Sequence, residues 1–342
     1  MSSQLENLWK KGTEFLGTRF AIMGGAMTWV SDATLVSAIS NAGGFGVIAC
    51  GSMNRELLAA EIKKTQEKTQ KPFGVNLIVM HPDLEGLIDV CIENKTTHLV
   101  FAGGLPKAPH IKKLKDAGVK VVCFAPAYII AKKLIKMGVD ALVIEGSEAG
   151  GHIGPVSTSV LAQEILPEIN KEFPQIPVFV AGGIGRGEAI ASYLEMGASG
   201  VQLGTRFVCA TECRAHPNFK KAFLRAAARE AMPSVQIDPD FPVIPVRAIE
   251  NKATEDFKHF QLQTISEFKS GKLTKEEAQL KIEHFWAGAL RKAVIDGDVE
   301  HGSLMAGQSV GMVNKEASIE EIINELITQA QDYITKTLNL AA

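Results

Sequence analysis

The stretch Asp140-Ala141-Leu142-Val143-Ile144, followed by Glu145-Gly146-Ser147-Glu148-Ala149-Gly150-Gly151-His152-Ile153-Gly154, predicts both a fold and a site. Its first five residues form an apolar run that is typical of a buried strand. The loop after the run places four glycines around one histidine. Glycine lets main-chain N–H groups approach a ligand without a Cβ in the way, and histidine offers a proton donor or acceptor. The pattern indicates a strand that ends at a ligand, with a tight turn and a surface histidine as the alternative interpretation.

Seven further apolar runs are similar to this strand and alternate with amphipathic helical stretches. Continuous apolar strands joined by helices are typical of a parallel sheet covered on both faces, and eight β/α units close into a (β/α)8 TIM barrel. A doubly wound open sheet is the competing architecture. It normally carries a G-x-G-x-x-G turn after its first strand, whereas this chain has Gly24-Gly25-Ala26-Met27 there. The predicted strands are Arg19–Met23, Phe45–Ala49, Phe73–Val79, His98–Ala102, Val119–Phe124, Ala141–Ile144, Pro177–Ala181 and Gly200–Leu203.

Beyond Phe207 the sequence becomes mainly helical, which indicates an inserted helical lobe late in the chain. We predict helices over His216–Ala231, Lys252–Lys269 and Lys275–Ile295, a proline-rich irregular segment from Met232 to Val246, and a last helix that starts at Ser318. The capping box Thr274-Lys275-Glu276-Glu277 opens the third of these helices. The 342 residues therefore divide into a barrel at 1–211, a helical substrate or lid lobe at 212–302, and a return segment with a C-terminal helix at 303–342 that packs on the barrel.

The composition limits the class of partner and the compartment. With 46% hydrophobic residues and a net charge of -2, the chain can fill a large core and has no basic face for nucleic acid, so we expect a small-molecule or acyl substrate. Five cysteines, mostly in apolar runs, suggest buried thiols in a reducing compartment. Cys209 and Cys213 are four apart on a predicted helix but lack further zinc ligands, so we predict no metal site. The amphipathic start, Met1 to Leu16, predicts neither a secretory signal nor a membrane span, and hence a cytoplasmic protein.

Glycine turns also follow the predicted seventh and eighth strands. They read Ala181-Gly182-Gly183-Ile184 and Gln202-Leu203-Gly204-Thr205, and a helix begins after each. Backbone N–H groups at such turns form the usual phosphate site of a barrel, and the hydroxyl of Thr205 can add a further hydrogen bond. These turns favour a phosphorylated ligand over ordinary short β/α connections.

Three loops, in the same order along the chain, resemble the FMN-binding barrel superfamily of nitronate monooxygenases (2-nitropropane dioxygenases). They are Glu148–Gly154, Ala181–Ile184 and Gln202–Phe207, and the early segments Met27–Ser31 and Phe73–Asn76 agree with them. Within that superfamily the C-terminal third is most similar to the flavin-dependent enoyl-acyl carrier protein reductases (FabK type). The stretches that carry this similarity are Ala215–Phe219, Pro245–Asn251 and Gly288–Gln308.

The resemblance implies roles for particular residues. It places His152 beside the substrate as the catalytic residue, and Met305 and Gln308 over the flavin as a roof. Backbone donors and apolar cover are what an isoalloxazine needs, and backbone N–H groups are what the 5′-phosphate needs. The residues expected around FMN are Gly25, Met27, Asn76, Glu145, Gly150, Gly151, Gly182, Gly183, Gln202, Leu203, Gly204 and Thr205.

The resemblance also implies an activity. We expect NADH or NADPH to reduce FMN, and FMN to reduce a trans-2-enoyl thioester of acyl carrier protein in fatty acid biosynthesis. The alternatives are a nitronate monooxygenase that oxidises alkyl nitronates with O2, a quinone reductase, and a non-catalytic barrel that binds a flavin or another phosphorylated ligand. A homodimer and room for a monovalent cation near the active site are further expectations from the same resemblance.

Overall fold

The structure is a computed structural model that describes residues 3–241 and 243–341. Its strands are β1 (Ile22–Gly24), β2 (Gly46–Ala49), β3 (Phe73–Ile78), β4 (His98–Ala102), β5 (Lys120–Phe124), β6 (Ala141–Glu145), β7 (Gly151–His152), β8 (Val178–Ala181), β9 (Gly200–Leu203), β10 (Ala231–Pro233), β11 (Val246–Ile249) and β12 (Leu304–Met305). Its α-helices are α1 (Ser3–Leu8), α2 (Lys10–Leu16), α3 (Ala33–Asn41), α4 (Arg55–Lys68), α5 (Leu84–Glu93), α6 (Ala108–Asp116), α7 (Tyr128–Lys136), α8 (Thr158–Glu172), α9 (Gly187–Glu195), α10 (Thr205–Val208), α11 (Pro217–Arg225), α12 (Lys252–Lys269), α13 (Lys275–Arg291) and α14 (Ile319–Ala341).

Eight parallel strands form a barrel in the order β1-β9-β8-β6-β5-β4-β3-β2. A parallel bridge between Met23 and Phe45 joins β1 to β2 and closes the ring. The Phe45 N–H donates to the carbonyl of Ile22, and the Gly24 N–H donates to the carbonyl of Phe45, both at 2.8 Å. The predicted (β/α)8 barrel is confirmed, and each predicted strand lies within three residues of the observed one.

The barrel helices begin where polar side chains cap them. Asp32 accepts hydrogen bonds from the N–H groups of Thr34 and Leu35 at 3.0 Å, and so fixes the start of α3. Ser157 caps α8 in the same way through the N–H of Val160. The helices then cover strands whose side chains are almost wholly buried, with Phe45, Phe101 and Phe179 among the largest. The barrel interior is therefore a packed core, and the functional groups stand at its rim.

The chain after α11 differs from the prediction. The helix predicted to run to Ala231 ends at Arg225, and the chain then forms a short 3-10 turn over Ala228–Glu230 before it enters β10. Here β10 pairs with β11 in antiparallel register, Ala231 opposite Ile249, so strand pairing overrides the helix propensity of an alanine-rich segment. The segment predicted as irregular, 232–246, contributes to both of these strands, and its Pro242 lies outside the described residues.

A small antiparallel sheet, which the sequence did not predict, joins the lobe to the barrel. Strand β11 is its centre and pairs with β10, with β12 and with β7 from the loop after β6. The sheet therefore ties together the loop that carries His152, the lobe, and the segment that returns to the barrel.

The lobe helices have their own apolar core. Helix α12 occupies the predicted residues, and α13 begins with the predicted capping box, in which the Glu277 carboxylate accepts the N–H of Thr274 at 2.8 Å. Helix α13 ends at Arg291, and its predicted last turn forms a π-helical segment over 292–296. Phe257 and Trp286 pack against each other in this core, with ring centroids 4.1 Å apart and ring planes tilted by 37°. It is a second cluster, separate from the barrel core.

Helix α14 docks on the barrel through the predicted apolar positions, since Ile319, Ile323 and Leu326 are fully buried. It packs against α9 at very short range. A Cβ added at Gly187 would lie 2.0 Å from the carbonyl oxygen of Leu326 and 2.5 Å from the backbone nitrogen of Ala330. Glycine at this position lets the two helix backbones touch.

We expect Gly187→Ala to lower the free energy of unfolding by about 3 kcal/mol, because α14 must move away from the barrel to admit the methyl group. Gly288→Ala is the control, since nothing lies within 4 Å of a Cβ there and alanine stabilises a helix interior by about 1 kcal/mol. Urea unfolding of both variants measures the difference. Equal stabilities would show that α14 does not need this contact.

The cysteines are buried, as predicted, but their positions correct one detail. Helix α10 ends at Val208, so Cys209 lies on a turn and Cys213 in irregular backbone, and neither is on a helix. Burial raises the pKa of Cys50, Cys91 and Cys209 to about 12, which makes these thiols inert. In the described part of the chain, no set of three or more His, Cys, Asp or Glu is arranged to hold a metal ion. The described helices include none with the length and apolar character that a membrane span requires.

Candidate active site at the carboxyl ends of the barrel strands

A cavity of about 400 Å³ opens at the carboxyl ends of the barrel strands, beneath the lobe and the return segment. Almost all of the residues predicted to form the site line it. They are Gly25, Met27, Asn76, Glu145, Gly150, Gly151, His152, Gly182, Gly183, Gln202, Leu203, Gly204, Thr205 and Met305. Gln308 is the exception, because its neighbours Gly307 and Ser309 line the cavity while Gln308 does not. Residues far apart in sequence therefore share one pocket.

One end of the cavity is built from glycine turns. Gly182 and Gly183 follow β8 with φ of 102° and 70°, a backbone region that other residues adopt at a cost. Gly204 follows β9, and a Cβ there would meet nothing closer than the Met27 sulfur at 3.5 Å. The N–H groups of Gly183 and Gly204 donate to no other described residue. This end of the cavity offers free backbone donors.

Thr205 stands beside these donors with its hydroxyl already in use. Its Oγ1 accepts the N–H of Gly307 at 2.9 Å, which fastens the return segment to the end of β9. The hydroxyl hydrogen remains available for a ligand. The hydroxyl of Thr205 can therefore still donate to a phosphate, as predicted. The same hydroxyl also holds the return segment in place.

Two side-chain amides, of Asn76 and Gln202, line the cavity. Asn76 donates through Nδ2 to the carbonyl of Val100 at 3.0 Å, and its Oδ1 makes no hydrogen bond to a described residue. The amide of Gln202 is buried and makes no hydrogen bond to a described residue. Both amides line the cavity, where their free donor and acceptor atoms can bind a polar ligand.

Glu145 ends β6 at the wall of the cavity and has no side-chain hydrogen bond to a described residue. Burial raises the pKa of this carboxyl from 4.5 to about 8, because the surrounding protein disfavours the charged form. The carboxyl is therefore protonated at neutral pH and can donate a hydrogen bond to a ligand.

Glu145 should make the stability of the protein without ligand depend on pH. Its pKa is higher in the folded state than in the unfolded state, so its contribution is greatest below pH 4.5 and is lost as the pH rises to about 8. We expect the melting temperature of Glu145→Gln apoprotein to exceed that of the wild type at pH 8 by more than it does at pH 5. The exposed Glu164→Gln on α8 is the control. Parallel pH curves for wild type and Glu145→Gln would contradict this expectation.

The glycine-histidine loop is held in place by Glu148. Its carboxylate accepts from the N–H of Thr158 at 2.8 Å and from the hydroxyl of Thr158 at 2.9 Å, at the start of α8. Its carbonyl accepts the N–H of Gln308 at 2.9 Å. Gly150 lies beside this contact, where a Cβ would be 2.5 Å from the nitrogen of Gly307. The loop and the return segment thus touch backbone to backbone.

The lobe holds the other half of the loop. In β7, Gly151 lies opposite Arg247 and His152 lies opposite Val246 of β11. The buried Arg247 side chain donates through Nε to the carbonyl of Ser147 at 2.8 Å and through Nη1 to the carbonyl of Ala231. The backbone of His152 is therefore fixed by the small sheet.

His152 meets a carboxylate from the lobe. Its Nε2 lies 3.2 Å from Oε1 and 3.1 Å from Oε2 of Glu283 on α13, and both residues line the cavity. The two side chains are partly open to solvent, with exposures of 42% and 30%. Together with Glu145 they are the titratable groups among the described lining residues, so His152 is the basic side chain of this cavity.

Sequence reasoning missed the lobe's part of the wall, namely Ile244, Glu283 and Leu290. Glu283 follows the buried Ile282 on α13, and in the sequence it is one of several carboxylates on that helix. A pairing across 131 residues leaves no local pattern that could have marked it.

The nitronate monooxygenase family model matches residues 10–88 and 85–329, nearly the whole chain. The chain belongs to the nitronate monooxygenase family. The family implies FMN as the cofactor and makes the protein an oxidoreductase. The match includes the lobe as well as the barrel.

Individual relatives in this family differ in what their names say they act on. A Rhodococcus jostii relative is 30% identical over 93% of this chain and 94% of its own. Its name is (3aS,4S,5R,7aS)-5-hydroxy-7a-methyl-1-oxo-octahydro-1H-indene-4-carboxyl-CoA dehydrogenase. A probable nitronate monooxygenase of Bacillus subtilis is 28% identical over 85% of this chain and 90% of its own. The structure of FabK from Thermotoga maritima superposes with a TM-score of 0.84 at 33% identity, covering 96% of this chain and 98% of that one.

The cavity fits the cofactor of the family. Free N–H groups at Gly183 and Gly204 suit a phosphate, and the unpaired amide atoms of Asn76 and Gln202 suit the polar atoms of a flavin. Met27 and Met305 offer flexible apolar cover. FMN contacts for these residues, and the roof role of Gln308, remain predictions.

Met27 is placed by a strained turn. The carbonyl of Met27 accepts the N–H of Val30 at 3.0 Å, and Trp29 occupies the third turn position with φ of 67°, where glycine is usual. Such a backbone costs about 1–2 kcal/mol. The guanidinium of Arg291 lies 5.9 Å from the Trp29 ring, so a lobe residue packs on the strained position.

Proposed function

We propose that this family member reduces trans-2-enoyl acyl thioesters with NADH or NADPH through FMN. The relative from Rhodococcus jostii is named for a CoA thioester, which makes acyl thioesters the substrate class we favour. The chain also resembles FabK over 96% of its length. Acyl carrier protein is the acyl donor that we propose, with fatty acid biosynthesis as the setting and a homodimer as the assembly.

The observation that carries this proposal is the carboxylate of Glu283 beside His152. An alkyl nitronate is an anion and needs positive charge where it binds. The Glu283 carboxylate offsets any positive charge on His152. It would also repel the negative charge of a nitronate bound within a few ångströms, and so disfavour nitronate binding. A thioester carbonyl is neutral and needs only a hydrogen-bond donor, which His152 supplies.

FMN, with its phosphate held at Gly183 and Gly204, would supply a two-electron carrier for hydride transfer from the nicotinamide to the β-carbon of the enoyl group. His152 donates a hydrogen bond to the thioester oxygen, where negative charge gathers as the double bond accepts hydride. A proton then adds at the α-carbon, so that one hydride and one proton together saturate the bond. Ile244 and Leu290 of the lobe give apolar cover at the cavity wall and help to exclude water.

An anaerobic spectral titration of the purified protein tests the proposal. NADH or NADPH should bleach the oxidised flavin spectrum, and crotonyl or longer enoyl thioesters should restore it with formation of the saturated product. A flavin that neither nicotinamide reduces would refute the enoyl reductase. Oxygen uptake with nitrite release from propionate 3-nitronate would instead identify a nitronate monooxygenase.

The acyl carrier is tested separately. Crotonyl-CoA and crotonyl-acyl carrier protein are compared as substrates at equal concentration, and a lower KM for the protein-bound thioester would support the proposed partner. Equal KM values would show that the enzyme recognises the thioester and acyl chain alone.

A further inference from the structure

We propose that Glu283 is a positioning residue, which fixes a proton on Nε2 of His152 and leaves Nδ1 as the nitrogen that meets the substrate. The proposal assigns a task to a lobe residue in the reaction proposed above, and its kinetic part rests on that reaction.

The hydrogen bonding of the imidazole supports this assignment. A carboxylate accepts hydrogen bonds and donates none, and both Glu283 oxygens lie within 3.2 Å of Nε2. That nitrogen must therefore carry a hydrogen. Nδ1 of His152 makes no hydrogen bond to any described residue, so it is free for a ligand. In the neutral ring Nδ1 is an acceptor, so the hydrogen bond that His152 donates to the thioester oxygen in the reaction proposed above comes from the charged ring, in which both nitrogens carry a hydrogen.

The surrounding structure fixes the positions of Glu283 and His152 relative to each other. Glu283 stands on α13 between Ile282 and Trp286, which are buried in the lobe core. His152 is paired with Val246, and the N–H of Ile153 donates to the carbonyl of Pro245 at 3.0 Å. Both partners are thus anchored in the same lobe, and the hydrogen bond forms between two fixed backbones.

The charges around the imidazole come from three elements. Glu283 approaches from α13, Arg247 lies in β11 opposite the neighbouring Gly151, and Glu148 lies in the same loop as His152. Glu148 is bound to Thr158, and Arg247 donates to the carbonyls of Ser147 and Ala231. Glu283 is therefore the group that bonds directly to the ring.

Nitrogen-15 NMR of protein labelled at histidine tests the tautomer directly. We expect the neutral His152 of the wild type to carry its hydrogen on Nε2, with the signal assigned by its absence in His152→Ala. Glu283→Gln should keep this tautomer, because the amide oxygen also accepts, and Glu283→Ala should give a mixture of tautomers. Glu276→Ala, at an exposed position of the same helix, should match the wild type. A hydrogen on Nδ1 in the wild type, or an unchanged spectrum in Glu283→Ala, would overturn the proposal.

A double-mutant cycle tests the coupling in catalysis. Glu283→Ala should lower kcat about tenfold with little change in KM, and should have no further effect in a His152→Ala background. Glu283→Gln should restore part of the loss. Additive losses in the double variant would show that Glu283 acts through the lobe and not through His152. If the protein reduces no enoyl thioester, the proposed function fails, while the NMR experiment still decides the role of Glu283.

Discussion

His152→Ala lowers kcat for the reduction of an enoyl thioester by about 10²–10³-fold, while the protein keeps its FMN. The magnitude is that of losing one donor to an oxygen on which negative charge develops. His152 is the basic side chain that lines the cavity, so among the described lining residues no other basic group can replace it. Steady-state consumption of NADH or NADPH measures the loss, and the visible spectrum of the purified variant measures bound flavin.

The control for this experiment is His259→Ala. His259 is exposed on α12, away from the cavity, and its replacement should leave both turnover and flavin content unchanged. Full activity in His152→Ala would remove the catalytic assignment. Loss of the yellow colour together with activity would mean that the histidine serves to hold the cofactor.

Gly150→Ala should abolish both stable FMN binding and activity. The added Cβ would lie 2.5 Å from the nitrogen of Gly307 and 2.6 Å from the carbonyl carbon of Ala306, so backbone must separate from backbone. Overpacking of this kind costs about 1–3 kcal/mol, and the strain falls on the loop and the return segment that form the cavity wall. Flavin content after gel filtration and the melting temperature report the two effects.

Gly154→Ala is the matched control in the same loop. Nothing lies within 4 Å of a Cβ at Gly154, so the variant should keep its flavin, its activity and its stability. If Gly150→Ala behaved like Gly154→Ala, the return segment would not be packed on the loop as described.

The barrel could be predicted because its signals are local. Each strand is a short apolar run that is buried on both faces, and sequence position alone defines its neighbours in a parallel barrel. The glycine turns at Gly183 and Gly204 were found for the same reason, since a barrel places its functional groups directly after its strands. The polar cavity residues Asn76 and Gln202 could be named through family resemblance.

The rest of the site depends on contacts between distant segments. Strand β7 has two residues and exists because β11 pairs with it, and β10 includes Ala231, the last residue of a predicted helix, for a similar reason. Glu283 is recognisable as a site residue only through its hydrogen bond to His152, 131 residues earlier in the chain. Neither hydrophobic periodicity nor residue spacing encodes such pairings.

The small sheet around β11 has a consequence for changing specificity by recombination. Since β7 belongs to the barrel loop, β10 and β11 to the lobe and β12 to the return segment, a lobe taken from another family member would arrive with foreign partners for β7 and β12. A functional chimera must therefore exchange 146–154, 212–302 and 303–312 as one block. A change of substrate preference through the lobe would therefore depend on two separate parts of the sequence, 146–154 and 212–312, which the small sheet joins.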